Sequence, residues 1–375
     1  MAHAYTPGLR VSEQAIITKQ RMLPILGQVT VKRGDIVSAT QVVAVTHLPG
    51  NVQLINIAHQ LGIEPSEVHG RLRVKIGDNV SEGQVLAENV GLFGLIRTQV
   101  TSKSSGTIES ISAVTGQLIL REPPKPLEVN SYITGIVTKV YDMEGVEIMT
   151  EGALIQGIIG VGGERHGRIK NLAHSPDAEL KPGDIGEDCA GCVIIGGRRA
   201  SLETYRRAEA VGASGLVVGS FNDSDLGAIL GYDLGIAITG GENHLKTTLI
   251  MTEGFGDLTM AQRTYELLAS LEGKEASISG ATQIRAGVIR PEIIVANTDD
   301  TEIDESKSDS TTETAIGAKV RIIRQPFFGE IATIAALPSE PQVVESGAVV
   351  RVMEVTLANG NKHVLPRANV ELIEE

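Results

Sequence analysis

The segment 240–247, GGENHLKT, sets a lysine and a threonine behind two glycines, the residue types that cradle a nucleotide phosphate. A phosphate-binding loop needs G-x-x-x-x-G-K-[S/T] between a strand and a helix, so that backbone N–H groups and the helix N-terminus converge on the anion. Here Leu245 stands where the second glycine belongs, and TTLIMTE after Lys246 is β-rich. The stretch therefore reads as a polar loop joining two strands. A second glycine cluster, GIIGVGGERHGRI at 157–169, fails the dinucleotide fingerprint at its third glycine. It reads as a turn holding Glu164, Arg165 and His166 near solvent.

The two cysteines, Cys189 and Cys192, have C-x-x-C spacing but precede the apolar run CVIIG. A redox pair follows a strand and opens a helix, whose dipole lowers the thiol pKa. One C-x-x-C cannot supply four thiolates, and the eight histidines form no H-x-x-x-H pair, so no metal site is expected. The remaining candidates lie in loops at the strand ends of an α/β region, where open sheets bind ligands. They are Asp225, Thr239, His244 and Glu253, with Arg285 and Arg290 placed to pair with these acids or hold an anion. Asp225 can instead cap a helix, and Asp257 is expected to. No catalytic residue and no cofactor are assigned, and the sequence leans away from an enzyme.

These residues need elements to position them. Residues 1–170 read as short strands with turn signals roughly every 8–12 residues, the pattern of small barrels and sandwiches. A helix is expected over 52–61, ended by Gly62. Residues 185–296 alternate strands (CVIIG, GLVVG, LGIAI) with helices (SLETYRRAEAVG, NDSDLGAILG, and one running to Leu271), which implies a mostly parallel sheet. Glu203 and Arg207 are spaced for an ion pair on one of these helices. Residues 297–315 carry seven acids against Lys307 and read as an extended, disordered acidic linker. Residues 316–375 return to strands, with Asn359-Gly360 as a hairpin signal. The fold class is thus α+β and multidomain.

Two stretches resemble known families. VKIGDNVSEGQVLAE followed by SSGTIESISAVTGQLILRE, within 70–122, resembles a barrel-sandwich hybrid domain of the biotinyl/lipoyl type. In carrier members a lysine on the intervening hairpin takes the prosthetic group. Here that interval has no Met-Lys-Met, and the resemblance implies a non-carrier domain. GAKVRIIRQPFFGEIATIAAL and RVMEVTLANGNKHVLPRANVELIE resemble a KOW domain, the SH3-like barrel of transcription factors and ribosomal proteins. That likeness implies partner contacts through Arg321, Arg324, Phe327, Phe328 and Arg351.

The chain has a net charge of −13, which opposes a broad nucleic-acid footprint. From Glu313 onward there are eight acids and six basic residues, net −2, which favours a protein partner over RNA. No apolar run spans a bilayer, the start lacks a signal-peptide core, and a cytoplasmic protein is expected. The leading expectation is a non-enzymatic assembly or adaptor protein that associates with itself as a homo-oligomer or with a protein partner. The alternatives are a transcription- or translation-associated factor docking through its C-terminal domain, and an enzyme or electron-transfer accessory subunit with a ligand in the α/β region.

Overall fold

The computed structural model describes residues 9–91, 96–231, 238–239, 245–283, 289–297, 316–322, 327, 330–338, 341–343, 349–357 and 360–372. His244, Arg285, Arg324, Phe328 and the acidic stretch 298–315 lie outside the described residues. The protein is β-rich, with a large mixed sheet and few helices.

The N-terminal strands are β1 (Val11–Met22), β2 (Gln28–Val29), β3 (Ile36–Val37), β4 (Val42–Leu48) and β5 (Val52–Asn56). Helix α1 (Ile57–Leu61) follows, capped by the Asn56 carboxamide at its start and by left-handed Gly62 at its end. The expected helix over 52–61 is therefore half strand, because Val52–Asn56 gain a ladder to a partner strand that local periodicity does not reveal. Next come β6 (Asn79–Val80), β7 (Val85–Gly91), β8 (Ile96–Thr101), β9 (Gly106–Ile111) and β10 (Gln117–Arg121). Then come β11 (Lys125–Asn130), β12 (Gly135–Tyr141) and β13 (Gly145–Gln156).

These strands form two copies of one arrangement, the second inserted in the first. Gln117–Arg121 pair with Asn56–Val52 just as Gly145–Met149 pair with Met22–Thr18. Leu120↔Ile108 and Ile119↔Ser110 skip residue 109, and Ile148↔Val137 and Glu147↔Lys139 skip residue 138. The ladder from β7 to β8 begins Val85↔Thr101, Ala87↔Val100, and that from β4 to β11 ends Ala44↔Val129, Val42↔Asn130, with the bulge at the same place. The Gly-Asp turns match as well: Asp35 accepts from the Lys32 N–H and Asp78 from the Lys75 N–H, each at 2.8 Å. Gly34 and Gly77 sit at φ of +90° and +89°, where a β-carbon is disfavoured.

The inner copy, with its own core of Ile57, Leu61, Val68, Leu86, Ile108, Leu118 and Leu120, occupies the hairpin tip of the outer copy. The stalk is the β4–β11 ladder, whose last pair is Leu48↔Lys125. Insertion at a hairpin tip leaves both ladders intact, which is why the outer copy tolerates it.

The outer copy continues into the body through β13. The body adds β14 (Ile159–Val161), β15 (Glu164–Asn171), β16 (Glu179–Leu180), β17 (Val193–Ile195), β18 (Arg199–Ala200), α2 (Leu202–Val211), β19 (Gly215–Phe221) and α3 (Asp223–Leu230). It closes with β20 (Ile238–Thr239), β21 (Thr248–Phe255), α4 (Gln262–Ser270), β22 (Glu275–Ser279), β23 (Thr282–Gln283) and β24 (Glu292–Ala296). Strands β15, β17, β19 and β21 run parallel, while β14, β22 and β24 join antiparallel. Because β24 pairs with β13, one sheet runs from the outer copy into the α/β region. One face carries a core around Ile169, Val193, Val217, Ile250 and Leu268, and the other carries one under the outer copy and one around Ile194, Tyr205, Leu216, Val218 and Met251. β17 and β19 are uninterrupted apolar or small runs, and β21 is broken only by Glu253, as strands covered on both faces require.

The C-terminal region forms a five-stranded antiparallel sheet in the order β30-β29-β26-β25-β31, from β25 (Lys319–Ile322), β26 (Ile331–Ala336), β29 (Val352–Leu357), β30 (Lys362–Pro366) and β31 (Val370–Leu372). A short pair, β27 (Gln342–Val343) and β28 (Val349–Val350), accompanies it. It packs around Val320, Ile334, Met353 and Val355, and Gly360 turns the β29–β30 hairpin at φ +83°.

Candidate functional site

Polar side chains converge most densely where the outer copy meets the body. Tyr132, between β11 and β12, is 2% exposed and sits at φ +71°, an unusual conformation for an aromatic residue. Its hydroxyl donates to Glu292 Oε1 at 3.2 Å, and Lys19 Nζ reaches both oxygens of that carboxylate at 2.6 and 2.7 Å. Arg21 holds Glu164 through two 2.7 Å bonds and lies 5.4 Å from the Tyr132 ring centroid. Burial, reinforced by the Glu292 and Glu164 charges, drives the Tyr132 hydroxyl well above its ordinary pKa. It therefore stays protonated and acts as a donor.

His166 lies 6.1 Å from Tyr132, ring to ring, and its Nδ1 meets Ser277 Oγ at 3.2 Å. Burial lowers the imidazole pKa, with the Arg21 charge acting the same way and Glu164 and Glu275 opposing it. The ring is thus neutral near pH 7 and can both donate and accept. Beside it a cavity of about 200 Å³ opens between the Ser38–Thr40 turn, Ile133 and Thr134 on one side and His166, Glu275–Ser277, Ile294 and Ala296 on the other. That is roughly the room of six or seven waters, enough for a small polar molecule and too little for a dinucleotide.

The sequence places Glu164, Arg165 and His166 in a glycine turn near solvent. The structure corrects the turn: they open β15, with His166 opposite Ser277 in the ladder, and while Glu164 is exposed as expected, Arg165 and His166 are half-buried.

At the ends of the parallel strands, the carboxylates are committed to backbone. Asp225 accepts from the Leu202 N–H at 3.3 Å and so ties α3 to the start of α2. Glu253, buried at the end of β21, accepts from the Ala261 N–H at 3.0 Å and so fixes the start of α4. Asp257 does not cap that helix, whose N-cap residue is Ala261; it pairs with Arg198 at 2.7 Å instead. Arg207 pairs with Glu187 rather than with Glu203, since a 3₁₀ turn brings Glu187 alongside.

Thr239 belongs to β20, where its backbone pairs with Thr282, and Gln283 of the same strand bridges to Ile289, next to Arg290. The fold thus brings the Thr239 and Arg290 segments together through β23. After Lys246 the chain enters β21 and not a helix, as the phosphate-loop test anticipates.

Cys189 is buried, and that burial raises its thiol pKa; β17 follows the C-x-x-C. In the C-terminal region the Phe327 ring packs tilted against that of His363, with centroids 4.3 Å apart, Arg351 is exposed, and Arg321 lies in β25. Among the described residues, no group of three or more His, Cys, Asp or Glu is placed to hold a metal, and no helix is long and apolar enough to cross a membrane.

Sequence reasoning misses Lys19, Arg21, Tyr132, Ser277 and Glu292. No motif links Lys19 to Glu292, which are 273 positions apart, and even their ladder partners on β13, Ile148 and Gln156, are eight residues apart. No protein-family model matches the chain, and no curated protein matches it.

Proposed function

We propose that the protein is a non-catalytic assembly protein that holds its inner copy out as an interaction module and associates with itself or a protein partner. What supports this is the nesting: a separately cored module rides on a two-stranded stalk whose register duplicates a hairpin within the module itself. On this reading both copies are barrel-sandwich hybrids of the non-carrier kind. The inner hairpin, where carrier members bear the modified lysine, reads ENVGLFGLIRTQV over 88–100 and has none. The C-terminal sheet is read as a KOW-like module, with Arg351 and the Phe327 region facing a protein.

The test is excision. Joining Leu48 to Lys125 through Asn-Gly closes the stalk as a two-residue hairpin. The shortened chain should keep its β-sheet circular dichroism and a cooperative melt. On this reading the full chain forms a self-complex or partner complex in light scattering and affinity capture, and the shortened chain should lose it. A shortened chain that retains the same complex removes the inner copy from the assembly role.

The seam cavity favours a second reading, a small-ligand site next to His166 and Ser277. Screening small neutral polyols and amides by chemical-shift change at the His166 ring tests it. A saturable shift in the native chain that His166→Phe lacks supports the site, and no shift at millimolar ligand sinks it.

A further inference from the structure

We propose that β5 is a docking edge for a second copy of this chain, with the two β5 strands antiparallel across a twofold axis at Leu54; the proposal rests on the self-association reading above. β5 ends its sheet, in the order β5-β10-β9-β6. The Glu122 N–H donates to Asn51 O at 2.9 Å, which sets the phase of the ladder. By antiparallel alternation, Asn51, Gln53 and Ile55 then turn their N–H and C=O toward β10, and Val52 and Leu54 turn theirs to the open side, as does the N–H of Asn56, whose C=O begins α1. No other strand among the described residues pairs there.

The duplicate supplies the control. Thr18 and Gln20 of β1 occupy the register positions of Val52 and Leu54, and both are polar and exposed. In β5 the same outward positions are apolar, with Val52 46% and Leu54 65% exposed. Lys19 and Arg21 flank them in β1, whereas VQLIN has no charge and no proline, the usual guards of a solvent-facing edge. An uncharged strand is also one that a second copy meets without like-charge repulsion. Centring the pair on Leu54 sets it opposite the partner's Leu54, and each Val52 opposite the partner's Asn56. An isologous contact of this kind closes on itself. A five-residue edge buries less than the roughly 1,200 Å² of a standard stable interface, so the association is concentration-dependent.

Sedimentation velocity on the full chain over a concentration series tests this. The native chain should shift toward twice its mass as concentration rises. Leu54→Lys and Leu54→Glu should each stay at single mass, because like charges then face each other. An equimolar mixture of the two variants should restore the doubled mass, whereas Gln20→Lys should not change the native behaviour. A native multimer that both Leu54 variants leave intact overturns the β5 contact while self-association stands. A native chain at single mass throughout overturns the contact as well, and the assembly reading then depends on partner capture in the excision experiment.

Discussion

Where the outer copy carries Tyr132, buried and left-handed, the inner copy carries Lys103, exposed in the same turn after an equivalent serine. The hydroxyl of Ser131 donates to Ile133 O as that of Ser102 donates to Ser104 O, but the residue between is left-handed at Tyr132 and not at Lys103. The surroundings differ. The outer turn faces the body sheet and closes on Glu292, Lys19 and His166, whereas the inner turn faces solvent. Two turns that share a serine contact thus do two jobs, anchoring in the outer copy and display in the inner one, and they differ in backbone at Tyr132 as well as in side chains.

The largest effect expected from that contrast is at the anchor. Tyr132→Ala removes a fully buried aromatic and the hydroxyl that Glu292 accepts from, at a cost of about 3–5 kcal/mol. Lys103→Ala, at the equivalent position, should stay within about 0.5 kcal/mol. Urea denaturation of both variants checks this, and comparable losses would mean that the two turns are loaded alike.

Where the copies agree, substitutions should cost the same in each. A β-carbon on Gly106 would lie 2.3 Å from Arg121 O, and one on Gly135 would lie 2.3 Å from Met149 O, at matching places in the two ladders. Neither carbonyl is the end of a flexible side chain, so both strands must part. Gly106→Ala and Gly135→Ala should each lose about 1–3 kcal/mol, in the range of overpacking. Hydrogen exchange should localise the first loss to the inner core and the second to the outer core. A loss in only one of them would show that the shared register hides different strand spacing.

Much of the inner copy is legible in sequence because its halves are contiguous: IGDNVSEGQVLAE and SSGTIESI fall within one window. The outer copy carries RGDIVSATQVVA and SYITGIV, but residues 49–124 separate them, and no local window joins them. Helices α2 and α3 are read correctly because each is bounded by local signals: Ser201 and Gly212 cap α2, and left-handed Gly231 ends α3. The expected strand LGIAI lies outside the described residues except for Ile238, which pairs antiparallel with β23 in a separate two-stranded sheet. Asp257 fails as a cap because Arg198, brought across from the neighbouring strand end, offers it a charged partner. The seam fails to register altogether, since Tyr132, Lys19, Glu292 and His166 belong to four separate segments that only sheet pairing assembles. In β5 the apolar Val52 and Ile55 mimic a helical face with Ala58 in sequence, whereas in space Val52 lies on an edge strand.

The smallest predicted effect concerns the seam's titration. His166 faces Arg21, Glu164 and Glu275, and burial is the main reason its folded-state pKa lies below the ordinary value. Between the unfolded value of about 6.5 and that lower folded value, the unfolded chain binds a proton that the folded chain resists. Stability is therefore fully present above about pH 6.5 and declines as pH falls below it, until the folded imidazole protonates too. Urea midpoints measured from pH 7.5 to 5 should fall with a slope that His166→Gln reduces. Hydrogen exchange should place the change in β15 and β22 and leave the inner copy unmoved. An unchanged slope in His166→Gln would assign the acid sensitivity to other groups and separate the seam from it. A change confined to the inner copy would reverse the assignment of anchor and display between the two modules.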